Sequence, residues 1–174
     1  MSSAAGSLRP VIREETSADI PRIRALTRAA FDGVAHSSRT EAAIVDALRA
    51  AGALTLSLVA ELDGKTVGHV AFSAVRIDGR DLGWLGLGPV SVAPDLQRRG
   101  IGSALIGEGL ARIEAEGAAG CVVLGDPAYY ARFGFGTEHA LRYGDVPPRY
   151  FQSRRFRGPS PSGEVAYHTG FEAT

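Results

Sequence analysis

Val90-Ser91-Val92-Ala93-Pro94-Asp95-Leu96-Gln97-Arg98-Arg99-Gly100-Ile101-Gly102-Ser103 is the stretch that decides how this chain is read. It runs from β-branched residues through a proline turn into a loop with glycines at 100 and 102. Ile106, Leu110 and Ile113 then recur at the spacing of one helix face. The start of a helix has four N–H groups without intrahelical partners and about half a positive charge, so it can hold an anion where main chain comes close. Gly100 and Gly102 permit that approach, Ser103 offers a hydroxyl, and Arg98 and Arg99 offer charge. Taken alone, a glycine-rich turn with two solvated arginines accounts for the pattern equally well.

Upstream, Leu82 to Val92 reads as extended, although Gly83, Gly86, Gly88 and Pro89 are poor residues for an ordinary strand interior. Leu54 to Ala60 and Val67 to Val75 read as antiparallel strands joined by an Asp63-Gly64 turn, and Asp78 to Asp81 as another turn. Val11-Ile12-Arg13 predicts a first strand. Thr16 and Asp19 resemble a cap before a helix carrying Ile20, Ile23, Leu26 and Ala30. Ser38-Arg39-Thr40-Glu41 has capping-box spacing before a second helix with Ile44, Ala47 and Leu48, ended by Gly52; Phe31 to Ser37 is the loop between. Downstream, Gly117 and Gly120 stop the third helix, and Cys121-Val122-Val123-Leu124 reads as a short buried strand of the parallel type. A short aromatic helix around Ala128 to Phe133, a Gly134-Phe135-Gly136 turn, an irregular Pro147-Pro148 segment and a last strand at Val165 to His168 complete the chain. The alternation predicts one mixed α/β sheet flanked by helices, with residues 1–9 a flexible N-terminal segment and 10–174 a single domain.

The whole chain bounds the partners. Its 174 residues fit one domain, and 19 basic against 19 acidic side chains leave no global field toward nucleic acid or anionic membrane. Its longest apolar runs fall far short of a bilayer span, and the N-terminus does not read as a secretory signal. Cys121 is the lone cysteine, so an internal disulfide is excluded and cytoplasm is the expected compartment. His36, His69, His139 and His168 show no metal-ligand spacing, so no metal is expected.

Gln97, Gly100 and Gly102 match motif A of the GNAT acetyltransferase superfamily: Gln or Arg, two residues, Gly, one residue, Gly or Ala. The segment therefore resembles that family. The likeness extends through Leu58-Val59-Ala60, Val67-Gly68-His69, Leu87-Gly88-Pro89-Val90, Gly107-Glu108-Gly109-Leu110, Val123-Leu124-Gly125-Asp126-Pro127 and Tyr129-Tyr130-Ala131-Arg132-Phe133-Gly134-Phe135, which look like its YhbS-like branch. It implies a central mixed, mostly antiparallel sheet with a splayed parallel strand pair, and acetyl-CoA as cosubstrate. By the same resemblance, the coenzyme A diphosphate would lie on Gln97, Arg98, Arg99, Gly100, Ile101, Gly102 and Ser103. The pantetheine arm and acetyl carbonyl would lie on Val90, Ser91 and Val92, and Asp126 and Tyr130 would complete the cofactor contacts. The implied activity is direct acetyl transfer to an amine in a ternary complex, with an amine-bearing small molecule or protein as acceptor and a homodimer as the assembly.

Such transfer needs a neutral amine, donors for the carbonyl oxygen and help for the departing thiolate. Backbone N–H groups of Val90 to Val92 fit the second task by resemblance. Tyr130, four residues before Gly134, matches the family's general-acid tyrosine; Tyr129 is the second choice, and aromatic packing is the competing role for both. A phenol is a weaker acid than a thiol, so hydrogen-bond donation is expected at least as much as full proton transfer. His36, Glu41 and Glu61 are candidate bases. Glu41 is also explained as a helix-start cap, Glu61 as a hairpin residue and His36 as an exposed loop residue. Cys121 reads as an inert strand residue and His69 as a satisfied structural histidine. The substrate-facing segments, Phe31 to Ser37 and Leu141 to Gly158, carry no firm match. Two other functions remain open: a non-catalytic acyl-CoA sensor on the same fold, and single-stranded nucleic-acid binding through Arg149 to Arg157, where cations alternate with aromatics.

Overall fold

A computed structural model describes residues 8–35 and 37–174. Residues 1–7 and His36 lie outside it. In chain order the elements are β1 (Val11–Glu14), α1 (Ile20–Phe31), α2 (Glu41–Ala50), β2 (Leu54–Leu62), β3 (Lys65–Ala74), β4 (Arg76–Ile77), β5 (Trp84–Val92), α3 (Ile101–Ala115), β6 (Gly120–Leu124), α4 (Pro127–Tyr130), β7 (Ala140–Arg142), β8 (Phe151–Arg155) and β9 (Ser162–Ala166).

The main sheet has six strands in the order β1-β2-β3-β5-β6-β8, and β4-β9-β7 forms a small second sheet. Every neighbouring pair of the main sheet is antiparallel except β5 with β6. Strand residues alternate between faces, and the helices divide accordingly. Leu58, Val70 and Phe72 pack with Ile101, Leu105, Ile106, Leu110 and Ile113 of α3. Val59, one residue on from Leu58, packs with Ile23 of α1 and Val45 of α2 on the other face. The apolar stripe read from the sequence is thus the buried face of α3. Its approach to the sheet is close, because a Cβ on Gly109 would stand 2.4 Å from the Phe72 ring.

The feature that makes the site is a parting of strands. β5 and β6 pair only over Trp84↔Gly120, Leu85↔Cys121 and Gly86↔Val122. Beyond Gly86, β5 runs on to Val92 with β3 as its neighbour while β6 stays with β8, so a wedge opens between the two parallel strands. At the same place the β3–β5 register slips. Val70 faces Val90 but Phe72 faces Leu87, leaving a bulge at Gly88-Pro89, where Gly88 takes a φ of 137° open to glycine. The glycines and proline that made this strand look irregular are the residues of the bulge and the parting.

Several expectations are corrected. Ser38 does not start a capping box: Ser38 Oγ pairs with Thr40 Oγ1, while Ser37 Oγ donates to Glu41 and accepts from Arg39 N–H. Asp19 does cap, accepting the Thr16 N–H at 2.7 Å, and its carboxylate also binds Arg13. The last strand ends at Ala166, and His168 instead accepts the Gly170 N–H in a terminal turn. Within the stretch read as substrate-facing, residues 151–155 form β8, with Phe151 and Gln152 buried.

Candidate active site

A cleft of about 620 Å³ lies at the wedge, walled by β5, the loop after it, the start of α3, α4 and the end of α1. The loop reaches α3 through Gly100, whose φ of 88° is a left-handed conformation suited to glycine. The first bond of the helix runs from Ala104 N–H to Gly100 O, so the N–H groups of Ile101, Gly102 and Ser103 have no intrahelical partner. Those three residues line the cleft together with Gln97, Arg98 and Gly100. Val90 and Val92 line it from the strand, and Leu96 and Phe31 add apolar wall. An anionic group set on the amides and an extended apolar arm along β5 fit this shape. Gly102 leaves the floor open, since a Cβ there would meet only Tyr129 Oη at 3.5 Å and Val92 at 3.6 Å.

The sequence-predicted residues divide by where their side chains go. Gln97 Nε2 donates to Val92 O at 3.1 Å, tying the loop to the strand end. Ser91 is buried on the opposite face of β5, where its hydroxyl donates to Thr27 Oγ1 at 3.3 Å; only its main chain remains for the cleft. Arg99 and Asp126 do not line the cleft. Arg99 O accepts from Leu8 N–H, and the Asp126 carboxylate caps α4 through Ala128 N–H at 2.9 Å. Tyr129 faces the cleft. Tyr130 packs edge-on against it at 5.0 Å, touches Gly125 and meets Phe135, and burial pushes its phenol up to about 12. Arg132, missed in the sequence, lines the cleft with its guanidinium 4.6 Å over the Tyr129 ring. Its signal was the Tyr-Tyr-Ala-Arg spacing, which puts Tyr129 and Arg132 three residues apart on one short helical turn.

Of the candidate bases, Glu61 is committed to Arg13 at 2.6 Å on the first-strand edge. Glu41 lines a separate hollow of about 360 Å³ between α1 and α2, which shares Phe31 with the main cleft and also includes Thr27, Asp32 and Arg39. His36 is not described. Cys121 is fully buried and burial pushes its thiol far up, consistent with an inert residue. His69 departs from expectation, because its Nε2 is partnered by Ser57 Oγ at 2.7 Å but its Nδ1 has no partner. Among the described residues there is no cluster of His, Cys, Asp or Glu able to hold a metal ion, and no helix is long and apolar enough to cross a membrane. The Arg149–Arg157 stretch is occupied locally. Arg154 donates to Phe133 O and stacks over Phe156, while Arg155 and Arg157 donate to Gly158 O and Glu114 O. That leaves little of the stacking platform a single strand of nucleic acid would need.

Comparison with known proteins agrees with this geometry. The model of the acetyltransferase (GNAT) domain matches residues 54–137. The uncharacterized N-acetyltransferase YhbS of Escherichia coli K12 is 44% identical over 135 residues, covering 76% of this chain and 78% of that protein. A GNAT family acetyltransferase from Brucella melitensis, solved in complex with acetyl-CoA, superposes with a TM-score of 0.84 at 53% identity, covering 94% of this chain and 98% of the other. The crystal structure of E. coli YhbS in complex with CoA gives a TM-score of 0.86 at 40% identity, covering 95% and 93%. With the parted strands, the unpartnered amides and these relatives in agreement, this chain belongs to the GNAT acetyltransferase family.

Proposed function

We propose that this acetyltransferase moves an acetyl group directly from acetyl-CoA to an amine acceptor, with both held in the wedge between β5 and β6. The observation that carries the reading is the row of free N–H groups at Ile101, Gly102 and Ser103 at the foot of the opened strand pair. In this reading those amides and Arg98 bind the diphosphate, and the exposed backbone edge of Val90 to Val92 aligns the pantetheine arm and polarises the carbonyl. Gln97 contributes by fixing the loop to Val92, with Arg99 and Asp126 as further contacts near the nucleotide. The bound cosubstrate supplies an acetyl group activated as a thioester.

Tyr130 is assigned to the departing sulfur. Its phenol, held near 12, is too weak an acid to surrender its proton readily to a thiolate of pKa about 8.5, so it stabilises that charge by donating a hydrogen bond. Tyr129 and Arg132 form the adjacent wall. We assign residues 10–174 to one catalytic domain, supported by β1 at one sheet edge and by the terminal turn, where Gly170 rests on Leu48 of α2. The acceptor is an amine-bearing small molecule or protein, and a cytoplasmic homodimer completes the reading.

Calorimetric titration with CoA, followed by free-thiol detection across a panel of amines with acetyl-CoA, tests this. Saturable binding and amine-dependent thiol release are expected. Absence of binding at millimolar CoA would overturn the reading.

A further inference from the structure

Arg13, Arg24, Arg49, Arg112 and Arg154 each hold a carboxylate of this chain. The two arginines that line the cleft, Arg98 and Arg132, hold none among the described residues, and no acidic side chain lines the cleft beside them. A protein without net charge thus concentrates positive charge where an anionic ligand would lie. Arg132 is also held in a way that suits phosphate. Its guanidinium lies 4.6 Å over the Tyr129 ring. Stacking engages the flat face of the group and leaves its in-plane N–H donors free, the fork that matches phosphate oxygens. Tyr129 in turn leans over the start of α3, its Oη 3.5 Å from where a Cβ on Gly102 would stand. Arg132 therefore approaches the free amides from the α4 wall, while Arg98 approaches them from the loop.

We propose that Arg132 binds the 3′-phosphate of coenzyme A and makes the site selective for that phosphorylated form of the cosubstrate; this rests on the acetyl-CoA reading above. With the diphosphate on the amides of Ile101, Gly102 and Ser103, the pantetheine arm runs from Val92 toward Val90. The adenosine leaves the diphosphate in the other direction, and its 3′-phosphate follows one ribose away. The diphosphate already has three amides and Arg98. The 3′-phosphate, a monoester with a charge of roughly −1.5 to −2 at pH 7, needs a cation of its own. Arg99 stands outside the lining of the cleft, which leaves Arg132 as the unpaired cation on the wall facing the phosphates. Tyr130, turned inward against Phe135, serves the sulfur end. The short turn at 129–132 thus meets the sulfur with Tyr130 and the phosphates with the stacked pair of Tyr129 and Arg132.

Calorimetry on the full chain with CoA and with 3′-dephospho-CoA tests this. The parent protein is expected to bind CoA about tenfold or more tightly than 3′-dephospho-CoA, as one charge-assisted contact provides, and the gap is expected to narrow in high salt. Arg132→Gln is expected to bring the two ligands within about twofold of each other while binding 3′-dephospho-CoA as the parent does. Arg98→Gln, acting at the diphosphate, is expected to weaken both alike. Phosphorus spectra give a second readout: the 3′-phosphate signal, separate from the diphosphate signals, is expected to titrate at lower pH in the parent complex than in free CoA, and to lose that displacement in Arg132→Gln. A preference that survives Arg132→Gln, equal weakening of both ligands by that substitution, or an undisplaced 3′-phosphate titration overturns the assignment. A parent that binds both ligands equally overturns this assignment alone, whereas one that binds neither overturns the acetyl-CoA reading and this assignment with it.

Discussion

Replacing Gly102 with glutamate separates the fold from the proposed binding site in one residue. The new Cβ would stand at ordinary contact distances, 3.5 Å from Tyr129 Oη and 3.6 Å from Val92, so the helix accommodates it. A carboxylate in the first helical turn gains about 0.3–1 kcal/mol from the macrodipole, and removing a helical glycine adds up to about 1 kcal/mol. The melting temperature should therefore hold or rise. The ligand meets the opposite effect. A unit charge about 5 Å from another costs roughly 3 kcal/mol at an effective dielectric of about 20, and a diphosphate carries two. Even after the side chain swings toward water, a penalty of about 3 kcal/mol is expected, a Kd for CoA raised more than about 100-fold. Gly102→Gln crowds the floor without the charge and should lose less, and the gap between the two variants should narrow in high salt. Calorimetry with CoA, alongside thermal melts, reads all of this. A folded Gly102→Glu protein whose affinity stays within about threefold of the parent would refute the reasoning.

Tyr130→Phe is expected to lower kcat on the order of 10²-fold while leaving CoA affinity unchanged, as removal of a single transition-state donor does; steady-state thiol release would expose an error if kcat held. Gly109→Ala sets a methyl against the Phe72 ring, and overpacking should cost about 1–3 kcal/mol, partly offset by helix propensity; urea unfolding measures it, and an unchanged midpoint would mean that α3 and β3 are not in this close contact. The pH dependence of stability follows from His69. Its folded pKa of about 4 lies below the unfolded value near 6.5, so the unfolded chain takes up the proton first. Stability is full above about pH 6.5 and falls by about 3 kcal/mol as the pH drops toward 4. Asp19, held well below the usual carboxylate range by Arg13, loses its contribution only under more acid conditions. Urea midpoints between pH 7.5 and 4.5 should show the decline and His69→Gln should flatten it; a parent protein without the slope would contradict a buried neutral ring.

The end of the cleft proposed to hold phosphate was legible because its physics is local. Glycines at 100 and 102 and the stripe of Ile106, Leu110 and Ile113 are contiguous in sequence, and the structure turns them into a left-handed junction and the buried face of α3. The awkward Gly86 to Pro89 run was likewise readable as a disturbed strand. β8 escaped because its alternation is masked by Arg154 and Arg155, whose charges reach loop carbonyls and solvent beyond the strand. The helix-start signal at Ser38 misled because Ser37 offered a competing hydroxyl one residue earlier. No sequence pattern joins Ser57 to His69. They are 12 residues apart, and the β2–β3 register brings them together. The hollow between α1 and α2 is hidden for the same reason, since each helix contributes half of it.

Backbone amide spectra recorded during a CoA titration reach the central claim most directly. The largest shifts are expected at Ile101, Gly102 and Ser103, with a second group along Val90 to Val92. Shifts confined to other surfaces, or none at millimolar CoA, would contradict the binding site assigned to this cleft.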